Sequence, residues 1–258
     1  VHYDVMFRKM VHSIRSKARR LHVLRQVDQA TGDNLFHCAV SSGNIDTIKI
    51  VFACCTHKVS AYMRAVMVQN QTGRNLLHVA AQAGDLETIE FIFSLLSEES
   101  RCLRVVNMRD KSGMTVLHCA AESGNRESVK TMLALYPTSQ HLQVVTTMRD
   151  ASGRTLLHCA AVSGNSELTK HLLDIWPESQ RLDAMKMQDE NGKTVMHWTV
   201  MSDNLESIKS TLRWIPESKR LDIVSMRDRH GHTVLFPAAC SHRFNSVHAI
   251  VNSLPESH

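Results

Sequence analysis

The chain has 258 residues, 43% of them hydrophobic and 21% charged, with a net charge of +5. That length allows one or two ordinary domains; no apolar run approaches the roughly 20 residues of a bilayer-spanning helix, and no secretion signal is visible, so a soluble protein is expected. Seven cysteines without paired C-x-x-C spacing argue against a zinc framework and for a reduced, cytoplasmic setting.

Residues 2–25 come first and differ from all that follows. Phe7, Met10, Ile14, Ala18, Leu21 and Leu24 stand three or four apart, which predicts one apolar face of a helix. Arg8, Lys9, Arg15, Lys17, Arg19, Arg20 and Arg25 against the single acid Asp4 give this stretch +6, so residues 26–258 sum to −1. Residues 1–26 are read as a capping helix with its charges in water. The alternative is docking of residues 8–25 to acidic lipid, nucleic acid or an acidic protein.

From residue 27 to residue 258 the chain repeats itself. Turn glycines Gly32, Gly73, Gly113, Gly153, Gly192 and Gly231 recur at steps of 39 to 41 residues, which means a stack of like units and not one globular core. Met148 to Pro177 shows the unit. Asp150-Ala-Ser-Gly153 has the acidic start and closing glycine of a tight turn. Thr155 before an apolar, alanine-rich run predicts a capped short helix, and Ser163-Gly164-Asn165 ends it. A second helix carries Leu168, Leu172, Leu173 and Trp176 and stops at Pro177. Then come PTSQHLQVV at 137–145, PESQRLDAM at 177–185 and PESKRLDIV at 216–224, which predict a short third helix with proline at its first position. The last residues, from Leu254 on, restart this element, so the array is expected to continue beyond His258.

These residues resemble the ankyrin repeat, a finger turn followed by T-x-L-H-x-A-A, a glycine break and an outer helix. The motif stands as TVLHCAAESGN at 115–125, TLLHCAAVSGN at 155–165 and TVMHWTVMSDN at 194–204, with weaker copies at 34–44, 75–85 and 233–243. The proline that usually follows the motif threonine is missing everywhere, Asn34 and Asn75 replace the threonine, and Phe236 stands where the sixth histidine belongs. The period exceeds an ankyrin unit by roughly seven residues per copy. In that extension the chain is similar to ankyrin arrays of secreted effector proteins of intracellular bacteria. The expected fold is therefore an all-α ankyrin-repeat solenoid of six helix-turn-helix units, each extended by an extra short helix.

The chemistry-bearing residues are absorbed by the repeat. His37, His78, His118, His158 and His197 hold the same place in successive units. In the resembling family that histidine is structural, bonding to the motif threonine and nearby backbone. Cys38, Cys119 and Cys159 are read as core, as are Met108, Met148, Met187 and Met226 with Val27 and Val68. Tyr136, Trp176 and Trp214 close the second helix before the proline. No nucleotide-binding glycine loop is present, and no nucleophile, cofactor, metal or small-molecule substrate is expected.

Surface recognition is what the resemblance implies, through residues beside the turn and after the Ala-Ala pair. Carried onto this chain these are Arg109, Lys111, Met114, Arg149, Arg154, Lys193, Arg229, His230 and His232 from the fingers, and Gln82, Glu122, Val162, Met201 and Ser202 from the first helices. The finger residues are mostly basic, so the expected partner is another protein with an acidic patch, a host protein if the effector likeness holds. The other reading is that the array is the substrate-recognition arm of a larger effector enzyme.

Overall fold

The computed structural model describes residues 26–53, 58–241 and 244–254. The basic segment 2–25 and the residues after Leu254 lie outside the described residues. Among the described residues the fold is all-α, with four isolated antiparallel bridges at the fingers and no strand.

The fourth repeat shows how the sequence makes the unit. Asp150 Oδ1 accepts from the backbone N–H of Ser152 and of Arg154, each at 2.9 Å, which closes the finger turn around Gly153 at φ 74°. Thr155 then caps the first helix, Leu156–Ser163, and Gly164 ends it in the left-handed conformation. Asn165 Oδ1 accepts from the Leu168 N–H at 3.0 Å and opens the second helix, Ser166–Leu173. That helix ends short of Pro177, and Trp176 is buried in the turn beyond it.

A third helix follows in each of the first five repeats: Val59–Met67, Glu99–Val106, Thr138–Thr147, Arg181–Lys186 and Glu217–Val224. Each is pinned by a buried adjacent pair, from Ala65 and Val66 in the first to Ile223 and Val224 in the fifth. The prolines precede these helices instead of starting them. Pro137, Pro177 and Pro216 have ψ of 139°, 140° and 136°. The ring-fixed φ with an extended ψ sets the chain's entry into the third helix before that helix begins.

The residues divide into two compact parts. Those up to Ala120 with Lys130–Leu135 form one, and Ala121–Val129 with those from Tyr136 on form the other. Within each part like packs on like. In the first, Leu35–Ser41 packs on Leu76–Gln82 and Ile45–Ala53 on Leu86–Leu96; in the second, Leu156–Ser163 packs on Val195–Met201 and that helix on Leu235–Cys240. Alanines and leucines of the first helices, such as Ala80, Ala81, Ala160 and Leu156, are fully buried at these contacts.

The fingers are laced together by backbone. The N–H groups of Gln71 and Lys111 donate to the carbonyls of Thr31 and Thr72 in the first part, and those of Glu190 and Arg229 to Ser152 and Asn191 in the second, all at 2.8 to 3.0 Å. Histidines of the first, second, fourth and fifth repeats tie the next finger to the helix behind it. His158 Nδ1 accepts from the Thr155 hydroxyl at 2.8 Å and its Nε2 donates to the Met187 carbonyl at 3.0 Å. His197 makes the corresponding pair with Thr194 and the His232 carbonyl.

Asn75 does the same job less well. Its Nδ2 donates to the Val105 carbonyl, so its Oδ1, which accepts from the His78 N–H, lies 2.8 Å from His78 Nδ1. That nitrogen already faces the Asn75 backbone N–H as an acceptor, so two lone pairs confront each other where a threonine hydroxyl would donate. Asn75→Thr is expected to raise stability by about 1 kcal/mol, read as a shift in the urea midpoint. A lowered midpoint would show that the Val105 bond matters more.

Three readings of the sequence need correction. Met108, Met148, Met187 and Met226 are only half-buried, and Val27 and Val68 are exposed. This position lies on the extended limb entering the finger, where its carbonyl is used more than its side chain, as Met187 shows. Cys119 and Cys159 are buried as expected but Cys38 is exposed, because burial here comes from neighbouring repeats and Cys38 stands in the first. Trp214 does close the fifth second helix, Leu205–Trp214, but it is half-exposed, and the buried place beside the proline that Tyr136 and Trp176 hold belongs there to Ile215.

Candidate partner-binding surface

The residues expected to touch a partner separate into those the array uses itself and those it leaves at the surface. Met114 is 3% exposed, and its carbonyl accepts from His78 Nε2 at 3.1 Å. Arg154 is also taken up. Its guanidinium bonds Asp150 Oδ2 at 2.7 Å and Glu122 Oε1 at 3.2 Å, and its side chain is only 14% exposed. Neither Met114 nor the Arg154–Glu122 pair is a free contact, because the finger closes by burying them.

Arg109 and Arg149 are finger staples. Each donates from a terminal nitrogen to the carbonyl of its own turn glycine, Gly113 or Gly153. Gln188 and Arg227 do the same to Gly192 and Gly231. The reach continues to the next finger, from Gln69 to the Arg109 carbonyl in the first part and from Arg149 and Gln188 to the Gln188 and Arg227 carbonyls in the second. This column, four residues before each turn glycine, was missed in the sequence because arginine and glutamine share no charge, only an N–H at the right length. It also shows that Arg109, Arg149, Lys193 and Arg229 are not one row. Lys193 follows its glycine and Arg229 stands two before its own.

What remains at the surface is concentrated at the last two fingers. Lys193, Met201, His230 and His232 line one cavity of about 490 Å³ with Phe236 and Pro237, and Arg229 is exposed beside His230. Elsewhere Lys111 and Gln82 are exposed, while Val162 and Ser202 are half-buried.

Phe236 explains the cavity. In other repeats the N–H of the residue after the histidine donates to the carbonyl of the capping threonine or asparagine, as Trp198 does to Thr194 at 3.2 Å. Pro237 has no N–H to give, so the helix starts late, at Leu235, with Val234 as its cap. A phenyl ring can neither accept from Thr233 nor donate to a finger. It turns out, is 47% exposed, and stacks on the His232 ring with centroids 3.7 Å apart.

The basic side of the cavity is built around Trp198. Its indole N–H donates to Asp189 Oδ2 at 3.0 Å, holding the ring under the Lys193 ammonium at 5.0 Å from the centroid. Arg154 lies over the same ring at 5.5 Å. Asp228 is the cavity's acid. Desolvation pushes its pKa up, but the N–H groups of His232 and His230 outweigh this and hold it below the ordinary value. Its outer oxygen lies 3.7 Å from His232 Nδ1, and Lys193 and Arg229 are the fixed cations of this surface.

A comparison with known families matches three overlapping stretches, residues 36–143, 93–181 and 139–213, to the family described as Ankyrin repeats (3 copies). No curated protein matches the chain.

Proposed function

Since this chain belongs to the ankyrin-repeat family, whose arrays are protein-protein interaction modules, we propose that it binds a partner protein through the surface at its fifth and sixth fingers. The observation that carries this reading is the cavity where an exposed, stacked Phe236 and the Met201 thioether stand beside the Lys193 ammonium. Such a site fits an acidic residue next to an apolar side chain, the carboxylate on Lys193 or Arg229 and the apolar group on Phe236. The likeness of the insertions to effector arrays makes a host-cell protein the first partner to look for.

The test is affinity capture from host-cell cytosol with three forms of the protein. Wild type and the double variant Arg109→Gln, Arg149→Gln are expected to capture the same partner, because glutamine already fills this staple at Gln69 and Gln188. Lys193→Glu with Arg229→Glu is expected to lose it while melting normally. Loss in the glutamine variant, with retention in the glutamate one, would move recognition to the third and fourth fingers.

A further inference from the structure

The third helices carry a pattern that finger recognition does not use. Aligned on their buried pairs, the exposed residue just before each pair is Arg64, Arg104, Gln143, Asp183 and Asp222 in turn. The insertion row begins basic and ends acidic. In the first part Val59–Met67 and Glu99–Val106 pack side by side and enclose an open groove of about 810 Å³. Val59, Met63 and Met67, all half-buried, give it an apolar floor, and Arg64, Arg101 and Arg104 stand along it. Its one acid, Glu98, is held by Arg101 at 2.8 Å. Among the described residues neither Arg64 nor Arg104 has a carboxylate partner.

We propose that this groove is a second docking surface, on the inserted helices and away from the fingers, that takes an acidic amphipathic helix from a partner protein. The floor and the rim each specify one face of that helix. Methionines accommodate leucine or methionine side chains of varied shape; Arg64, whose Nε donates to the Ser60 carbonyl at 3.2 Å, keeps its terminal nitrogens for carboxylates flanking the partner helix, and Arg104 does the same. The two helices, nine and eight residues long, give a trough of about 12 to 14 Å, room for two to three turns of the partner. Charge also selects the occupant: the arginines along the groove favour an acidic segment, whereas the chain's own residues 2–25 are basic in sequence.

The probe is a fluorescein-labelled amphipathic peptide with leucines at helical spacing and glutamates on the flanking positions, beside a scrambled peptide of equal composition. Anisotropy titrations with wild type are expected to show binding of the first and at least about tenfold weaker binding of the second. Arg64→Glu with Arg104→Glu is expected to weaken the amphipathic peptide by the same order or more. Arg64→Gln with Arg104→Gln, a milder change read beside circular-dichroism melting, is expected to fall between. Lys193→Glu with Arg229→Glu is expected to leave it unchanged, which separates this surface from the finger site. No binding, equal binding of the scrambled peptide, or loss only in the Lys193 and Arg229 variant would each overturn the proposal. So would self-association in sedimentation velocity that the Arg64 and Arg104 variants abolish, because a second copy would then be the occupant.

Discussion

Replacing Gly153 with valine is expected to destabilise the fourth repeat by roughly 3 kcal/mol or more, combining left-handed strain with overpacking. The residue sits at φ 74°, and a Cβ there would lie 2.7 Å from Glu190 Cγ and 2.9 Å from the Glu190 backbone nitrogen. The glutamate side chain can swing away, but its backbone N–H donates to the Ser152 carbonyl and belongs to the lacing between fingers. A valine therefore strains its own turn and parts it from the next. Gly43→Ala is the control: φ is 62° but nothing lies within 4 Å of its Cβ, so it bears only backbone strain, about 1 kcal/mol. Urea unfolding followed by circular dichroism is expected to show an early transition for Gly153→Val, split because each repeat leans on its neighbours. One transition at the wild-type midpoint would sink the assigned role of this glycine.

Mild acid is expected to unfold the array through its ladder of histidines. Burial pushes the pKa of His37, His78 and His197 below the ordinary value and that of His158 to about 4, against hydrogen bonds to carbonyls that pull the other way. In the unfolded chain these rings titrate near 6.5. Between 6.5 and the folded value the unfolded state takes up a proton that the folded state refuses. Stability is thus whole above pH 6.5, falls as pH drops, and has lost the full contribution below the folded pKa. For His158 alone the interval down to about 4 is worth roughly 3 kcal/mol. Asp28 and Asp228, whose pKa values lie below 3.8, keep their contribution through this window and lose it only at lower pH. Urea midpoints measured from about pH 7 down to about pH 4.5 are expected to fall steadily. His158→Gln is expected to begin lower and fall less steeply; equal slopes would mean that this ring does not titrate with unfolding.

Much of the unit was legible in one copy of the repeat. Asp150, Thr155 and Gly164 act through bonds within a few residues of themselves, and His158 shares one of these with Thr155, so residue type and spacing suffice to place them. The candidate site was less legible. Arg109, Arg154 and Lys193 look alike as charges in a sequence, yet one staples a turn, one is buried between Asp150 and Glu122, and one lies on Trp198. Phe236 was visible as a departure from the motif, but its consequence depends on Pro237 and on the His232 ring of its own finger.

What the sequence determined by itself was the repeating unit: its period, its caps and breaks, its third helix and its place in the ankyrin family, because local hydrogen bonds and periodic apolar residues set all of these. What only the tertiary structure decided was which basic side chains serve the array and which face outward. That choice depends on contacts between repeats as well as within them, such as Arg154 with Glu122 and Arg149 with the Gln188 carbonyl, and spacing within a single repeat does not encode those.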